Sequence, residues 1–245
     1  MKRWVSLLVV IAASSAMAQT FVSDERKPKE SPRSMFFEFK LSPFTPLIDS
    51  TATVGEGKQL PYDKFFGDSP MLLGEIEIEY QVFQKFGTIA VGLSGGYAEK
   101  YGKSVSANSG AAIGQSTGLH VVPLKALLIY RFDWLKQKTR IPLVPYVKGA
   151  FVTMPWWIMN GKAIEVFNNV RGEGVRFGLA AVFGLAFELD FLDPRLARDF
   201  DSSMGVNHTY LFAEGTLQAM NLFPSAGPPL NLSSQHFNFG IGLEF

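Results

Sequence analysis

The chain has 245 residues, 23 basic against 22 acidic, three histidines and no cysteine. The missing cysteine excludes a disulfide scaffold, a thiol nucleophile, a thiolate zinc site and a lipoprotein anchor. The near-neutral balance excludes a nucleic-acid binder of the basic-patch kind, and a 47% hydrophobic share with 22 Phe and only 18% charge excludes a disordered chain.

Residues 1–18 open with Lys2 and Arg3, run apolar from Trp4 to about Ala13, and close on Ala16-Met17-Ala18 before Gln19. This is the pattern of a cleaved secretory signal peptide, with an apolar run too short to span a bilayer as a helix. Residues 19–34 (QTFVSDERKPKESPRS) are polar and Pro-containing and read as a disordered periplasmic lead-in. The remainder, 35–245, reads as one β domain.

From Met35 onward the hydrophobic period is two, the period of a strand whose side chains alternate between faces. Met35, Phe37, Phe39 and Leu41 oppose Phe36, Glu38 and Lys40. Ile76, Ile78, Tyr80 and Val82 oppose Glu75, Glu77, Glu79 and Gln81. Ile89, Val91, Leu93 and Tyr97 oppose Ala90, Gly92, Ser94 and Gly96. Lys125 and Arg131 share one face of a fourth run, Lys148 lies in a weaker fifth, and Arg176 and Glu188 bracket a long sixth. Glu214 sits in the seventh, and Glu244 in the terminal FNFGIGLEF. Eight strands are predicted, at about 35–42, 72–84, 87–99, 119–132, 142–153, 173–191, 207–219 and 235–245.

The connections alternate in length. Residues 43–71, 100–118, 154–172 and 220–234 are long and rich in Gly, Ser, Asn and Pro. Lys85–Phe86 and Asp133–Arg140 are short, as on the periplasmic side of an outer-membrane barrel. The third, 193–206, is longer. Asp193-Pro194 reads as a helix start, and Leu196, Phe200 and Met204 share one helical face, so a short amphipathic helix at the interface is predicted. An extra pair of short strands is the alternative there.

Alternation alone does not say which face is inside, and a soluble lipocalin-like barrel has the same period. Three features favour apolar residues outward. The polar face is rich in small residues, as a narrow lumen requires. Charges of both signs lie mid-strand on it: Glu38, Lys40, Glu75, Glu77, Glu79, Lys125, Arg131, Lys148, Arg176, Glu188, Glu214 and Glu244. Aromatic residues gather at strand ends, at Phe36/Phe37, Tyr97/Tyr101, Tyr130/Phe132/Trp134 and Trp156/Trp157, as interfacial girdles do. The fold expected is all-β, an eight-stranded antiparallel transmembrane β-barrel with long extracellular loops.

The terminal run, with Phe237, Phe239, Ile241, Leu243 and Phe245 alternating to the last residue, resembles the C-terminal signal by which Gram-negative outer-membrane barrels are recognised for insertion. The runs YRFDWLKQKTRIPLVPYVKGAF (130–151) and GVNHTYLFAE (205–214) resemble a family of outer-membrane β-barrel proteins from myxobacteria and relatives. The wider fold is similar to the small OmpA/OmpX/OmpW-type barrels. The resemblance implies location and fold; it carries no activity, so no catalytic, cofactor-binding or metal residue is assigned from it.

The three histidines, His120, His208 and His236, leave a lipid A-modifying hydrolase open as one reading, with His236 beside Ser233 and Ser234 near the outer end the better placed. A narrow porin-like conduit for small or apolar solutes is another. The favoured reading is a structural or surface-interaction barrel without enzymatic activity or cofactor, because eight strands leave no aqueous channel. Its expected partners are outer-membrane lipid and lipopolysaccharide, and the barrel assembly machinery during insertion. No nucleic acid is expected, and the protein is expected to be a monomer.

Overall fold

In the computed structural model the described residues are 33–50, 61–105, 112–139, 141–167 and 169–245. The leader at 1–18 and nearly all of the lead-in at 19–34 lie outside them. Among these residues eight long strands form one closed antiparallel barrel. They are β1 (Met35–Phe44), β2 (Met71–Phe83), β3 (Thr88–Val105), β4 in two halves (Ala112–Val121 and Leu124–Arg131), β5 (Leu143–Asn160), β6 (Glu173–Glu188), β7 (His208–Ala219) and β8 (Ser234–Glu244). Consecutive strands pair, and β1 closes the ring on β8 with Phe37 opposite Leu243 and Phe39 opposite Ile241. Closure satisfies both edges of every strand, so no open ladder faces a solvent without hydrogen-bonding partners.

Proline explains the break in β4. Pro123 has no N–H to donate, so the ladder pauses at 122–123. Its carbonyl still accepts from Gly96 N at 2.9 Å, and Val122 N donates to Pro155 O at 2.9 Å. The two halves therefore behave as one wall element.

The side chains are inverted relative to a soluble barrel. Leu93 is 70% exposed and Phe237 67%, whereas Glu77 and Glu79 are 0% exposed. Apolar residues on alternate positions face out around the whole ring. A soluble protein would bury that surface.

Two differences from the sequence-based expectation stand out. The strands extend further toward the loop end: β3 reaches Val105, β4 begins at Ala112 and β5 reaches Asn160. Much of the expected loop at 100–118 is thus a projecting hairpin, its alternation hidden by Gly and Ser. Second, among the described residues two short α-helices lie in connections where none is predicted: α1 (Pro61–Phe66) in the first long connection and α2 (Asp133–Thr139) in the short connection at 133–140. The helix predicted in the connection at 193–206 is present as α3 (Pro194–Met204). The Asp193 side chain caps α3 by accepting from Arg195 N at 3.0 Å and Leu196 N at 3.1 Å. Gly205, in the left-handed region at φ 73°, closes it.

The aromatic pairs divide between faces. Phe36 and Trp156 are buried inside the barrel, each 3% exposed, rather than lying in an interfacial girdle. Alternation forces this: only one of two adjacent residues can face out.

Candidate functional site

The lower half of the lumen, nearer the termini and tight turns, holds a knot of ionic side chains. Lys148 on β5 reaches Glu38 at 2.6 Å, Glu77 at 2.7 Å, Glu214 at 3.0 Å and Glu79 at 3.2 Å. Lys40 on β1 reaches Glu77 at 2.6 Å, Glu38 at 3.1 Å and Glu214 at 3.2 Å. The Arg131 guanidinium pairs with Glu79, approaches Glu38 at 3.8 Å, and lies over the Phe36 ring at 3.9 Å. Lys125 holds Glu75 at 2.5 Å one level higher. Five carboxylates from three strands thus meet four cations from three strands. Buried charge is tolerated only when paired and hydrogen-bonded in this way.

Neutral residues complete the knot. The Tyr146 hydroxyl donates to Glu214 at 3.1 Å, and Asn238 Nδ2 donates to Glu214 at 3.1 Å and to Thr216 at 2.8 Å. Close approach explains the lumenal glycines. A Cβ at Gly184 would fall 2.2 Å from the Tyr146 ring, so only glycine leaves room for the tyrosine that reaches Glu214.

The other charges assigned to the polar face lie apart from the knot. Glu244, at the foot of β8, accepts from Gln81 Nε2 at 2.7 Å and the Tyr210 hydroxyl at 3.1 Å. Glu188 pairs with Lys136 of α2. Arg176 donates to the Pro228 carbonyl, near the loop end, and reaches none of the knot's carboxylates. Strand parity gives its face but not its height. Gln81 stands on the polar face the sequence gives β2; Tyr146, Tyr210, Asn238 and Lys136 are outside the charges assigned from the sequence. The two tyrosines and Asn238 carry the inward parity of their strands, which could have revealed them. Lys136 lies in a helix the sequence reading lacked.

The upper half of the lumen is apolar and closed by loop segments. Phe44, Met71, Leu73, Leu119, Val121, Val152, Met154 and Trp156 form its wall, and Ile48, Tyr62, Met220 and Leu232 fill it from the connections. Backbone and side-chain hydrogen bonds tie the plug down. Leu47 N donates to Ser233 O at 2.8 Å, Asn231 Nδ2 donates to Ser50 Oγ at 3.0 Å, and Met220 N donates to Ser233 Oγ at 3.0 Å. Asp49 accepts from Tyr62 N at 2.6 Å and Asp63 N at 3.1 Å, seating α1 in the mouth. Burial and the Asp49 carboxylate push the Tyr62 hydroxyl up to about 12.

The histidines are dispersed. His236 points into the lumen, with Nδ1 3.1 Å from Ser234 Oγ and its ring edge-on to Phe44 at 5.5 Å. It lies at the outer end of β8, as the sequence places it, and its contacts are lumenal. It shares inward parity with Ser234 and Asn238, while Phe237 beside it faces out. His208 is bonded to Asp190 near the turns. His120 alone of the three is on the outward wall.

Among the described residues two clusters have metal-ligand spacing, Glu38/Glu77/Glu79 and Glu188/Asp190/His208. In the first, Lys40, Lys148 and Arg131 already occupy the place a cation would take. In the second, Lys136 and His208 engage the carboxylates.

The terminal apolar residues form part of the outward wall. Phe237, Phe239 and Ile241 are exposed, and Phe245 sits edge-on to Phe37 at 5.4 Å at the barrel foot.

No protein-family model matches the chain, and no curated protein matches it. Among solved structures, Neisserial surface protein A is similar at a TM-score of 0.47 and 11% identity, over 87% of this chain and 97% of that one. The N-terminal β-barrel domain of Pseudomonas aeruginosa OprF is similar at a TM-score of 0.37 and 14% identity, over 86% of this chain and 97% of that one. The barrel assignment rests on this chain's own closed strand pairing rather than on these likenesses.

Proposed function

We propose that the chain is a bacterial outer-membrane β-barrel of the small OmpA/OmpX/OmpW-like kind, exported through its leader, with a structural or surface-interaction role. One observation carries this reading: charged side chains are buried inside a closed barrel whose outer wall carries an apolar belt around the whole ring. Hydrocarbon accepts only a closed barrel or a helix, and no described helix is long and apolar enough to cross. The wall has a suitable height. From Ile89 to Tyr97 is eight steps along β3, about 27 Å at strand rise, or roughly 20 Å when tilted by ~40°.

A conduit needs a continuous lumen. Here an ion-pair knot crosses the lower half and an apolar plug, held by backbone and side-chain hydrogen bonds, fills the upper half. A lipid A hydrolase using His236 needs that imidazole at the lipid, and it points inward.

Planar-bilayer recording on the folded full chain tests the closed lumen, alongside membrane fractionation and the heat-dependent shift of folded barrels on gels. The expectation is an outer-membrane band that shifts on boiling, with no unitary conductance. Steady single-channel steps would sink the structural reading in favour of the conduit.

A further inference from the structure

The outward wall changes character at one height. On β3 it runs Ile89, Val91, Leu93 and then Tyr97, Glu99, Tyr101. Strand register places Glu99 opposite His120, His120 opposite Trp157, and Trp157 opposite Glu173. A row of polar and aromatic side chains therefore crosses four strands at the upper margin of the apolar belt.

The hydrogen bonds in this row fix the state of His120. Tyr97 has one hydroxyl hydrogen, and it donates that to Glu99 Oε2 at 2.7 Å, because a carboxylate only accepts. The Tyr97 oxygen is also 2.7 Å from His120 Nδ1, so Nδ1 must be the donor there. In the neutral ring this leaves Nε2 as an acceptor. Nε2 is buried and has no hydrogen-bond partner. The ring is clamped: it stacks on Trp157 at 5.3 Å with planes 7° apart, and meets Tyr101 edge-on at 5.7 Å. Gly118 lies beneath. A Cβ there would come within 2.9 Å of the Tyr101 ring and 3.1 Å of Nε2. Tyr101, 59% exposed, is thus the cover over Nε2.

Trp157 also belongs to a second feature. On its far side a groove of about 530 Å³, lined by Pro155, Trp157, Met159, Ile164 and Val175, runs along the outward wall between β5 and β6. An apolar groove and a polar aromatic cluster share one tryptophan, on a wall continuous with the lipid-facing belt. An amphipathic ligand fits both halves.

We propose that this patch binds one acylated saccharide of the outer leaflet, with an acyl chain in the groove and the sugar on Tyr97, Tyr101 and Trp157. The inference rests on the membrane reading above. Sugar hydroxyls donate to both Glu99 and Nε2, and aromatic faces suit the C–H face of a sugar ring. A phosphodiester headgroup brings acceptors and negative charge against a carboxylate, the opposite of what these atoms want. Rotation of Tyr101 opens Nε2 to a hydroxyl.

The test is native mass spectrometry of the folded full chain released from micelles with equimolar monoglucosyl diacylglycerol, phosphatidylethanolamine and phosphatidylglycerol of matched chains. The glucolipid should be retained in preference. His120→Phe keeps a ring for stacking but removes both nitrogens, and should cut that preference about tenfold, the worth of one buried hydrogen bond. Phe239→Ala, on the β8 wall, should leave it unchanged. The gel shift on boiling reports folding of each variant. Equal retention of the three lipids, or a preference indifferent to His120→Phe in a folded barrel, overturns the site alone. A wild-type chain with no heat-dependent shift overturns the membrane reading and the site with it.

Discussion

Lys148 touches four carboxylates in a space where its side chain is 0% exposed. A charge so placed offsets those of its partners, and removing it leaves them without a counter-charge in a dry lumen. Losing one member of a buried ionic set costs about 3–5 kcal/mol. Lys148→Met should therefore lower the urea midpoint of the folded barrel in bilayers by that equivalent. Adding Glu77→Gln should recover part of it. A midpoint unchanged by Lys148→Met would mean the knot contributes nothing. At this scale the sequence is half-legible. The shared parity of Glu75, Glu77 and Glu79 on β2 is plain in the alternation. Which cations they meet is not, because cross-strand register decides it: Lys40 stands opposite Glu75 in the ladder yet bonds Glu77. Arg176 has the same parity as its strand's inward face but lies too high to join.

The eight strands follow from the period-two pattern of each run, since that pattern needs no partner to be read. Their ends do not. β3 carries on through Lys100, Tyr101, Gly102 and Lys103, residues with poor alternation, because pairing with β4 supplies the ladder. α3 was legible because its signals are local: Asp193 as cap, Pro194 at the start, and Leu196, Phe200 and Met204 on one face. α1 and α2, of six and seven residues, have too few turns to show a period. The α3 face of Leu196, Phe200 and Met204 is exposed, and it continues past Phe191 and Leu192 toward the barrel wall. This face is expected to lie in the headgroup region of the inner leaflet. The natural lack of cysteine makes the test clean. A polarity-sensitive fluorophore on Leu196→Cys should emit as in an apolar setting in bilayers and shift to the red when Phe200 and Met204 become Glu. Those changes should cost the barrel less than about 1 kcal/mol, as surface substitutions do. Water-like emission from the first variant would contradict the interfacial placement.

For the molecule as a whole, one inversion links sequence, fold and proposed location. Alternation appears in soluble and membrane barrels alike, so the pattern alone leaves the phase open. The phase is set by what fits the narrow lumen: Gly184 beside Tyr146, and a matched set of carboxylates and ammonium groups. The outward wall is then a continuous apolar surface, which in the proposed reading faces lipid. Among the described residues, Ile48, Tyr62, Met220 and Leu232 of the connections close the mouth, and the Tyr97–Trp157 row lies on the outside. The most direct measurement is spin-label accessibility on β2 in bilayers, using single-cysteine variants at each position from 75 to 80. Labels replacing Ile76, Ile78 and Tyr80 should collide readily with oxygen and little with a water-soluble nickel chelate. Labels replacing Glu75, Glu77 and Glu79 should be shielded from both. The opposite phase, or free access of the chelate to the Ile positions, would contradict a lipid-facing apolar wall.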